Sequence, residues 1–206
     1  FATITGGTVY AEQKEIITLK TGKPCISTNA LSNISLISAV CGGKIESDSG
    51  YAVTTSGICW DTDNQFNESQ CLGKATNTSG STNFSLNITG LTDGTTYYVK
   101  AYATNQKGTS YGAIRTFSTI PVTVPAVSTK AVPNPTAISA IGGGDVTYDG
   151  NATVTARGVC WNTTGNPNLQ DCLGFTVDGQ GIGSFNSSIT GLNPSTDYYV
   201  RAYATN

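Results

Sequence analysis

The 206-residue sequence contains no histidine and no methionine, and charged residues make up only 12% of it. Histidine is the commonest general base near neutral pH and a frequent zinc ligand, so its absence argues against catalysis and against zinc. The formal net charge of −2 is not that of a nucleic-acid-binding protein. No apolar run approaches the roughly 20 residues that a membrane-spanning helix needs. We therefore expect no enzyme, no cofactor, no metal site, no nucleic-acid partner and no membrane span.

Sustained helical periodicity is missing as well, and the residues that are present favour β-structure. Short runs of Val, Ile, Thr and Tyr are interrupted by Gly, Asn and Asp, which is typical of many short strands joined by turns. Hydrophobic residues at 38% indicate a chain that folds. The composition predicts an all-β protein.

An internal repeat organises the chain. GICWDT at 57–62 returns as GVCWNT at 158–163, and CLG at 71–73 returns at 172–174. ITGLTDGTTYYV at 88–99 returns as ITGLNPSTDYYV at 189–200. Each match lies 101 positions after its first occurrence, as from Gly57 to Gly158. A period of this length is too long for a solenoid unit and fits two tandem sandwich domains.

Seven strands can be placed in the first copy. Alternation of apolar and polar residues on the fifth, with Phe84 inward and Asn83 outward, is the period of a strand that has one buried face. On the sixth strand we expect Tyr97, Val99, Ala101 and Ala103 to face inward, and Tyr98, Lys100 and Tyr102 outward. The predicted strands lie near 24–30, 34–42, 52–61, 71–77, 82–89, 96–105 and 109–118.

GLTDGTTYYV at 90–99 and GLNPSTDYYV at 191–200 resemble the turn between the fifth and sixth strands of fibronectin type III domains. In that turn a leucine is followed by a tyrosine that bonds back to the backbone. The resemblance assigns these roles to Leu91 with Tyr97, and to Leu192 with Tyr198.

The longer stretch from TARGVCW at 155–161 to Asn206 resembles the tandem fibronectin-III-like repeats of bacterial surface proteins, of the Bacteroidetes type in particular. The resemblance covers nearly the whole chain and implies two immunoglobulin-like β-sandwiches, with a role in display or adhesion. The tryptophan usual on the second strand of the family is absent, so we expect Trp60 and Trp161 on the third strand to fill the core.

The repeat offset also relates the N-terminus to a strand in the middle of the chain. GTVYAEQKEIITLK at 7–20 aligns with GTSYGAIRTFSTI at 108–120, which is the predicted seventh strand of the first copy. The second copy has no such strand after its sixth. We therefore expect residues 1–21 to be a donor strand, 22–120 a complete sandwich, and 121–206 a sandwich that lacks its seventh strand. The predicted donor residues are Thr8, Val9, Tyr10, Lys14, Ile16 and Leu19, and the predicted acceptor residues are Tyr198, Val200, Ala202 and Ala204.

Three arrangements could complete the second sandwich. The N-terminal strand could fold back within its own chain, or the sequence could be a window of a longer tandem array. The arrangement that we favour places the strand of one copy on the next copy, because an open edge strand invites strand addition. Such a head-to-tail contact propagates into a filament unless its rotation closes a ring.

The repeat restricts how the six cysteines can pair. The second copy retains two, which predicts that they pair with each other and that their counterparts in the first copy do the same. The remaining two would then form a third bond, and disulfides imply an oxidising, extracellular location. The predicted pairs are Cys160–Cys172, Cys59–Cys71 and Cys25–Cys41.

Eight Asn-x-Ser/Thr sequences are candidate glycosylation sites. Three of them, Asn83, Asn87 and Asn186, fall on the outward parity of the fifth strand of their copy, which would give a sugar-coated sheet face; polar residues on a solvated face are the simpler alternative. The full set is Asn33, Asn67, Asn77, Asn83, Asn87, Asn151, Asn162 and Asn186.

Other motifs fail on context. DTDNQF at 61–66 begins like a calcium loop but lacks the glycine and the later ligands. GQGIG at 179–183 opens no helix and is not a phosphate loop. Tyr98, Tyr102, Tyr199 and Tyr203 could stack on sugars but are more typical of cross-strand pairs.

The sequence therefore predicts a structural subunit of an extracellular, glycosylated, pilus-like filament that is joined by donor-strand complementation between copies of the chain. The alternative is a two-domain segment of a long secreted adhesin, or a carbohydrate-binding accessory module.

Overall fold

The computed structural model describes residue Glu12 and residues 22–206, and the predicted donor residues lie outside these. Every regular element of the described part is a β-strand. The first repeat contains β1 (Cys25–Thr28), β2 (Ser38–Ser47), β3 (Thr55–Asp61), β4 (Gly73–Thr76), β5 (Asn83–Thr89), β6 (Thr96–Asn105), β7 (Gly108–Tyr111) and β8 (Arg115–Ser118). The second contains β9 (Ala126–Thr129), β10 (Ser139–Tyr148), β11 (Ala156–Asn162), β12 (Gly174–Phe175), β13 (Gly183–Thr190) and β14 (Tyr199–Thr205). The all-β prediction is confirmed for this part of the chain.

Each repeat has one sheet built from its first, second and fifth strands. In the first repeat the order is β1-β2-β5, and in the second it is β9-β10-β13. The other sheet has the order β4-β3-β6-β7 in the first repeat, where β8 also pairs with β6. In the second repeat it has the order β12-β11-β14. The two repeats thus share one topology, apart from β7 and β8, which have no counterpart among residues 121–206.

Most predicted strands are observed within a few residues, but two differ. The second strand begins at Ser38 and not near residue 34, because Ser35 Oγ accepts hydrogen bonds from the backbone N–H groups of Ile37 and Ser38 and holds a turn there. The seventh strand is split into β7 and β8, since Gly112 between them leaves the ladder to pass close to Thr28. Apolar periodicity does not report either of these local backbone features.

The core of the second repeat lies between its two sheets. Ala140, Val146, Phe185 and Ile189 come from β10 and β13, and Val159 and Ala202 come from β11 and β14. Trp161 packs against this cluster, and Trp60 is buried at the same place in the first repeat, as predicted. Face-to-face packing of two antiparallel sheets is the β-sandwich arrangement.

Repeated glycines mark the closest approaches in each sandwich. A Cβ added to Gly43 would lie 2.6 Å from Ala101 Cβ on the opposite sheet, and one added to Gly144 would lie 2.7 Å from Ala202 Cβ. Real side chains do not approach so closely, so only glycine fits where the two sheets come together.

The tyrosine corner implied by the fibronectin resemblance is present in both repeats. Tyr97 Oη accepts a hydrogen bond from the backbone N–H of Thr92 at 3.0 Å, and Tyr198 Oη accepts one from Asn193 at 3.1 Å. These bonds give the turn before β6 and the turn before β14 the same closure.

The chain separates into two compact units whose boundary does not follow the repeat. One unit comprises Leu31–Val40, Asn87–Tyr97 and Thr116–Asn206, and the rest of the described chain belongs to the other. The predicted boundaries at 21 and 120 therefore remain a prediction. Within the described residues, no helix is long and apolar enough to cross a membrane.

Gly43→Ala tests the close approach of the sheets. We expect it to lower the free energy of unfolding of the first repeat by about 1–3 kcal/mol, because the added methyl group overpacks the core. Urea unfolding would measure the loss. Gly22→Ala is the matched control, since nothing lies within 4 Å of its added Cβ, and it should change stability by less than about 0.5 kcal/mol. Equal losses for both variants would contradict the packing described here.

Candidate functional site

The edge strand β6 of the first repeat is covered over its length by β7 and β8. Near its start, Phe117 of β8 stacks on Tyr97 with 5.7 Å between the ring centroids. Thr119, immediately after β8, donates its hydroxyl to Thr92 O at 2.6 Å and accepts from the backbone N–H of Thr95 at 2.9 Å. We call β7, β8 and Thr119 together the covering strand. Its second half seals the core beside the tyrosine corner.

Towards the other end of β6, the cover is provided by β7. The Tyr111 ring lies 4.6 Å from Lys100 Nζ, and the Thr109 hydroxyl is 2.9 Å from that of Thr104. Between the halves, the backbone N–H of Gly112 donates to Ala101 O at 2.9 Å. The backbone N–H of Ala101 donates to Thr28 Oγ1 at 3.0 Å, so β1 reaches β6 at this residue, and we call this point the crossing.

The corresponding edge of the second repeat is open among the described residues. β14 pairs with β11 along one side, and no described strand lies along the other. Tyr97, Val99 and Ala103 are buried in the first repeat, whereas their counterparts Tyr198, Val200 and Ala204 are only half-buried. The counterpart of the fully buried Ala101, Ala202, is still buried behind the crossing. This difference in burial follows from the strands that cover β6, since the side chains at these positions are the same in both repeats.

A cleft of about 490 Å³ lies where the first repeat holds Phe117 and Thr119. Its apolar walls include Val132, Ile189, Leu192, Tyr198 and Val200, and polar residues such as Lys130 and Asp197 line it as well. The predicted acceptor residues Tyr198 and Val200 therefore line one groove, as expected from their inward parity.

A second cleft, of about 310 Å³, continues along β14 where the first repeat holds β7. It is lined by Pro167, Arg201, Ala202, Tyr203 and Ala204, among others. The Thr129 hydroxyl bonds the backbone N–H of Ala202 at 3.0 Å between the two clefts, as Thr28 does in the first repeat. The two clefts and this crossing form what we call the open edge, which brings all four predicted acceptor residues together.

In each repeat, two cysteines lie close together on the outer face of the sheet that contains the third strand. Burial, and then the neighbouring Cys71 thiol, raises the pKa of Cys59 to about 12. Burial and then Cys172 raise the pKa of Cys160 in the same way. All four sulfurs are thiols in this structure, and their proximity is compatible with the two predicted bonds.

The predicted Cys25–Cys41 bond is not compatible with the strand register. Cys25 lies opposite Ser47 on β2, six positions from Cys41 along the same strand. At about 3.3 Å per residue the two Cα atoms are roughly 20 Å apart, whereas a disulfide needs less than about 7 Å. Cys41 is instead a core residue, and burial raises the pKa of its thiol. Cys25 is exposed.

The predicted glycosylation sites differ in accessibility. Asn33, Asn83, Asn87 and Asn186 are exposed, the last three on the outer face of β5 or β13. Asn162 is wrong as a candidate: it is 4% exposed, and its amide nitrogen donates to Gly165 O and Asp171 O. The amide nitrogens of Asn67, Asn77 and Asn151 also donate within the protein.

Two of the four predicted outer-face tyrosines are engaged within the protein, whereas Tyr199 is 53% exposed. Tyr102 is buried in a small cluster with Cys59 and Phe66, because the loop between β3 and β4 folds over this face. Tyr203 donates its hydroxyl to Thr176 O at 2.6 Å, and burial raises its pKa. Parity correctly placed these residues outside the main core, but it could not show that a loop covers them.

The acidic loop at 61–66 is closed by its own carboxylates. Asp61 accepts from the backbone N–H groups of Asp63 and Leu72, and Asp63 accepts from Gln65. Among the described residues, no group of three or more His, Cys, Asp or Glu side chains could hold a metal ion.

No protein-family model and no curated protein matches this sequence. Among solved structures, a segment of two fibronectin type III domains from chicken tenascin is similar at 16% identity, over 86% of this chain and 89% of that chain. The TM-score is 0.33, which is too low for the likeness to add to the topology described above.

The cysteine geometry predicts a defined labelling pattern. In protein produced under oxidising conditions, we expect Cys59–Cys71 and Cys160–Cys172 bonds, with Cys25 alone alkylated in the folded state. Non-reducing peptide mapping after native and then denaturing alkylation would measure this. Cys41 should react only after unfolding, because it is buried. A Cys25–Cys41 linked peptide would contradict the register of β1 and β2.

Proposed function

We propose that the protein is a structural subunit of an extracellular filament, in which residues 8–19 of one copy cover the open edge of the next. The observation that carries this proposal is that the same edge is covered in the first repeat by β7 and β8, to which residues 8–19 correspond at the repeat offset. Apart from Glu12, the proposed occupant lies outside the described residues, so its identity rests on the sequence correspondence and on the chemistry of the edge.

Sequence identity between the two segments is found where the covering strand makes its contacts. Thr109, Tyr111 and Thr119 make the side-chain contacts described above, and residues 8, 10 and 18 are likewise Thr, Tyr and Thr. Phe117, which fills the apolar groove, corresponds to Ile16, and Arg115 corresponds to Lys14. The segment therefore offers an apolar side chain for the cleft and the same polar groups on either side of it.

The open edge offers matching partners. Thr205 and Tyr198 correspond to Thr104 and Tyr97, and Arg201 corresponds to Lys100. An arginine retains the positive charge that can lie over the ring of Tyr10. Ala202 O is available for a backbone N–H at the crossing, as Ala101 O is for Gly112.

The physics of edge strands favours completion. An uncovered edge exposes backbone donors and acceptors together with apolar side chains, which makes it a template for an added strand. Burying each of the half-exposed apolar side chains adds up to about 1.5–3 kcal/mol. Since donor and acceptor surfaces are different, the contact is heterologous, and it propagates from copy to copy unless its rotation closes a ring.

Exposed sequons and paired cysteines support an extracellular, glycosylated setting. Asn83 and Asn186 have their amide oxygens hydrogen-bonded, to Asn29 Nδ2 and Lys130 Nζ respectively, which turns the amide nitrogen towards solvent where a glycan would attach. The same features would suit a segment of a longer adhesin or an accessory module, in which case a following stretch of the same polypeptide would cover the edge.

Assembly of the full chain tests the proposal. We expect filaments by negative-stain microscopy and a mass that rises with concentration by light scattering. Ile16→Asp should abolish both, because the carboxylate would have to be buried against Ile189, Tyr198 and Val200 in place of an apolar side chain. Ile37→Asp, at an isoleucine that is 61% exposed, is the matched control and should leave assembly intact.

Two results would overturn the proposal of a filament. A wild-type chain that stays monomeric at all concentrations would favour fold-back or a longer tandem array. Filaments that persist unchanged in Ile16→Asp would show that another contact joins the subunits. A chain with residues 5–19 appended after Asn206, so that residues 5 and 6 stand where the turn residues Gln106 and Lys107 stand in the first repeat, should be a capped monomer.

At Ala11 the proposed donor carries a Cβ for which the corresponding position of the first repeat has no room. It corresponds to Gly112, where an added Cβ would lie 2.5 Å from Thr28 N. The Thr129 hydroxyl accepts a hydrogen bond from β14 as the Thr28 hydroxyl does from β6, so β9 lies close to the place where Ala11 would dock. The Cβ of Ala11 must therefore displace β9 slightly.

Ala11→Gly should therefore strengthen the junction, lowering the concentration at which filaments disassemble several-fold. Dilution followed by light scattering would measure this. Gln13→Gly is the control, since its counterpart Ile114 is 42% exposed and a glycine there relieves nothing. A stronger junction in both variants, or in neither, would contradict docking at this crossing.

A further inference from the structure

Thr119 is the one polar side chain of the first repeat's covering strand that is buried against the tyrosine corner. It is 2% exposed. Its hydroxyl donates to Thr92 O at 2.6 Å and accepts from Thr95 N–H at 2.9 Å, while its own N–H donates to Thr95 O at 3.0 Å. A hydroxyl can donate once and accept twice, so one side chain serves two backbone groups of the turn.

The second repeat presents the same turn without such a partner among the described residues. Asn193 and Thr196 stand where Thr92 and Thr95 stand. The 3.1 Å bond from Asn193 N–H to Tyr198 Oη closes this turn as the 3.0 Å bond closes the first one. Both residues line the larger cleft. Asn193 O and Thr196 N–H are thus preformed positions for one hydroxyl.

We propose that Thr18 of the docking segment is the register-setting residue of the inter-subunit junction, with its hydroxyl bound between Asn193 O and Thr196 N–H of the acceptor copy. The inference rests on the proposed donor-strand function. Thr18 corresponds to Thr119 at the repeat offset. It is also the only hydroxyl-bearing residue between Ala11 and Lys20.

The apolar residues of the segment do not determine the register by themselves. Apolar residues occur at both parities of the segment, so a strand slipped by one residue would place Ile17 in the cleft and Leu19 at the turn. A slip by two residues would put Ile16 or Lys20 at the turn, with Lys14 or Thr18 in the cleft. It would leave Asn193 O and Thr196 N–H without a hydroxyl and could bury the Thr18 hydroxyl against Tyr198, and both are unfavourable.

A peptide of residues 7–21 and a full-length acceptor test this inference. The acceptor is the full chain carrying Ile16→Asp, whose own segment cannot dock and whose open edge is intact. Affinity of the native peptide is compared with that of Thr18→Ser, which keeps the hydroxyl, and Thr18→Val, which keeps the shape without it. We expect Thr18→Val to bind at least tenfold more weakly and Thr18→Ser to bind within about threefold of the native peptide.

The register itself supplies a second measurement. In the first repeat the Ser118 hydroxyl lies 2.8 Å from that of Thr96, so residue 17 of the peptide should lie opposite Asp197. A photo-crosslinker at position 17 should link the native and Thr18→Ser peptides to the vicinity of Asp197. With Thr18→Val, we expect crosslinks spread to sites one or two residues away.

The outcomes separate this inference from the function on which it rests. Equal affinity and an unchanged crosslink for Thr18→Val would overturn the role of Thr18 while leaving donor-strand docking in place. A loss in Thr18→Ser as large as that in Thr18→Val would overturn it as well, because the hydroxyl would then not be the determinant. No binding of the native peptide would overturn the proposed function, and this inference with it.

Discussion

The outer edge of the sixth strand of each repeat is the constraint on which the rest of the structure depends. Its backbone groups need hydrogen-bond partners, and its inward side chains need a covering layer to become core. In the first repeat β7 and β8 supply both, and Tyr97, Val99 and Ala103 are buried. The second repeat has the same side chains without a described cover, and the same positions become walls of a groove. One strand is thus the difference between a closed core and an open groove.

The division of that surface into two clefts has a definite cause. The two sheets approach so closely at Gly43 and Ala101, and again at Gly144 and Ala202, that no side chain fits between them. At the same level the first strand of each repeat reaches across to bond the edge strand through a threonine hydroxyl. A covering strand must step over this crossing, which explains why the seventh strand of the first repeat is split around Gly112. The open edge accordingly has two clefts, the larger beside Tyr198 and Val200 and the smaller beside Arg201.

The outer face of the second sheet is a separate, smaller layer. The loop between β3 and β4 folds Phe66 over Cys59 and Tyr102, and Lys100 lies over the Phe66 ring at 4.4 Å while donating to the Phe66 carbonyl. Tyr111 of β7 completes this arrangement from the other side. The covering strand therefore contacts both faces of the sheet, with Phe117 in the core and Tyr111 on the outer face. Identity between residues 8–19 and β7–β8 at the outer-face tyrosine is informative for that reason.

The sequence by itself determined the repeat, the all-β class, the position of most strands, the tyrosine corners and the inward residues of β14. These follow from local periodicity and from comparison of the two repeats, both of which can be read from the order of the residues. Only the tertiary structure decided that Cys25 and Cys41 lie at opposite ends of a strand pair, that Asn162 is buried, and that Tyr102 is covered. These depend on strand register and on the path of a loop between β3 and β4, which bring together residues that no sequence period relates. The groove depends on both: its inward side chains and its missing seventh strand follow from the repeat, whereas its division into two clefts arises from the contact of Thr129 with β14, which only the packing of the sheets reveals.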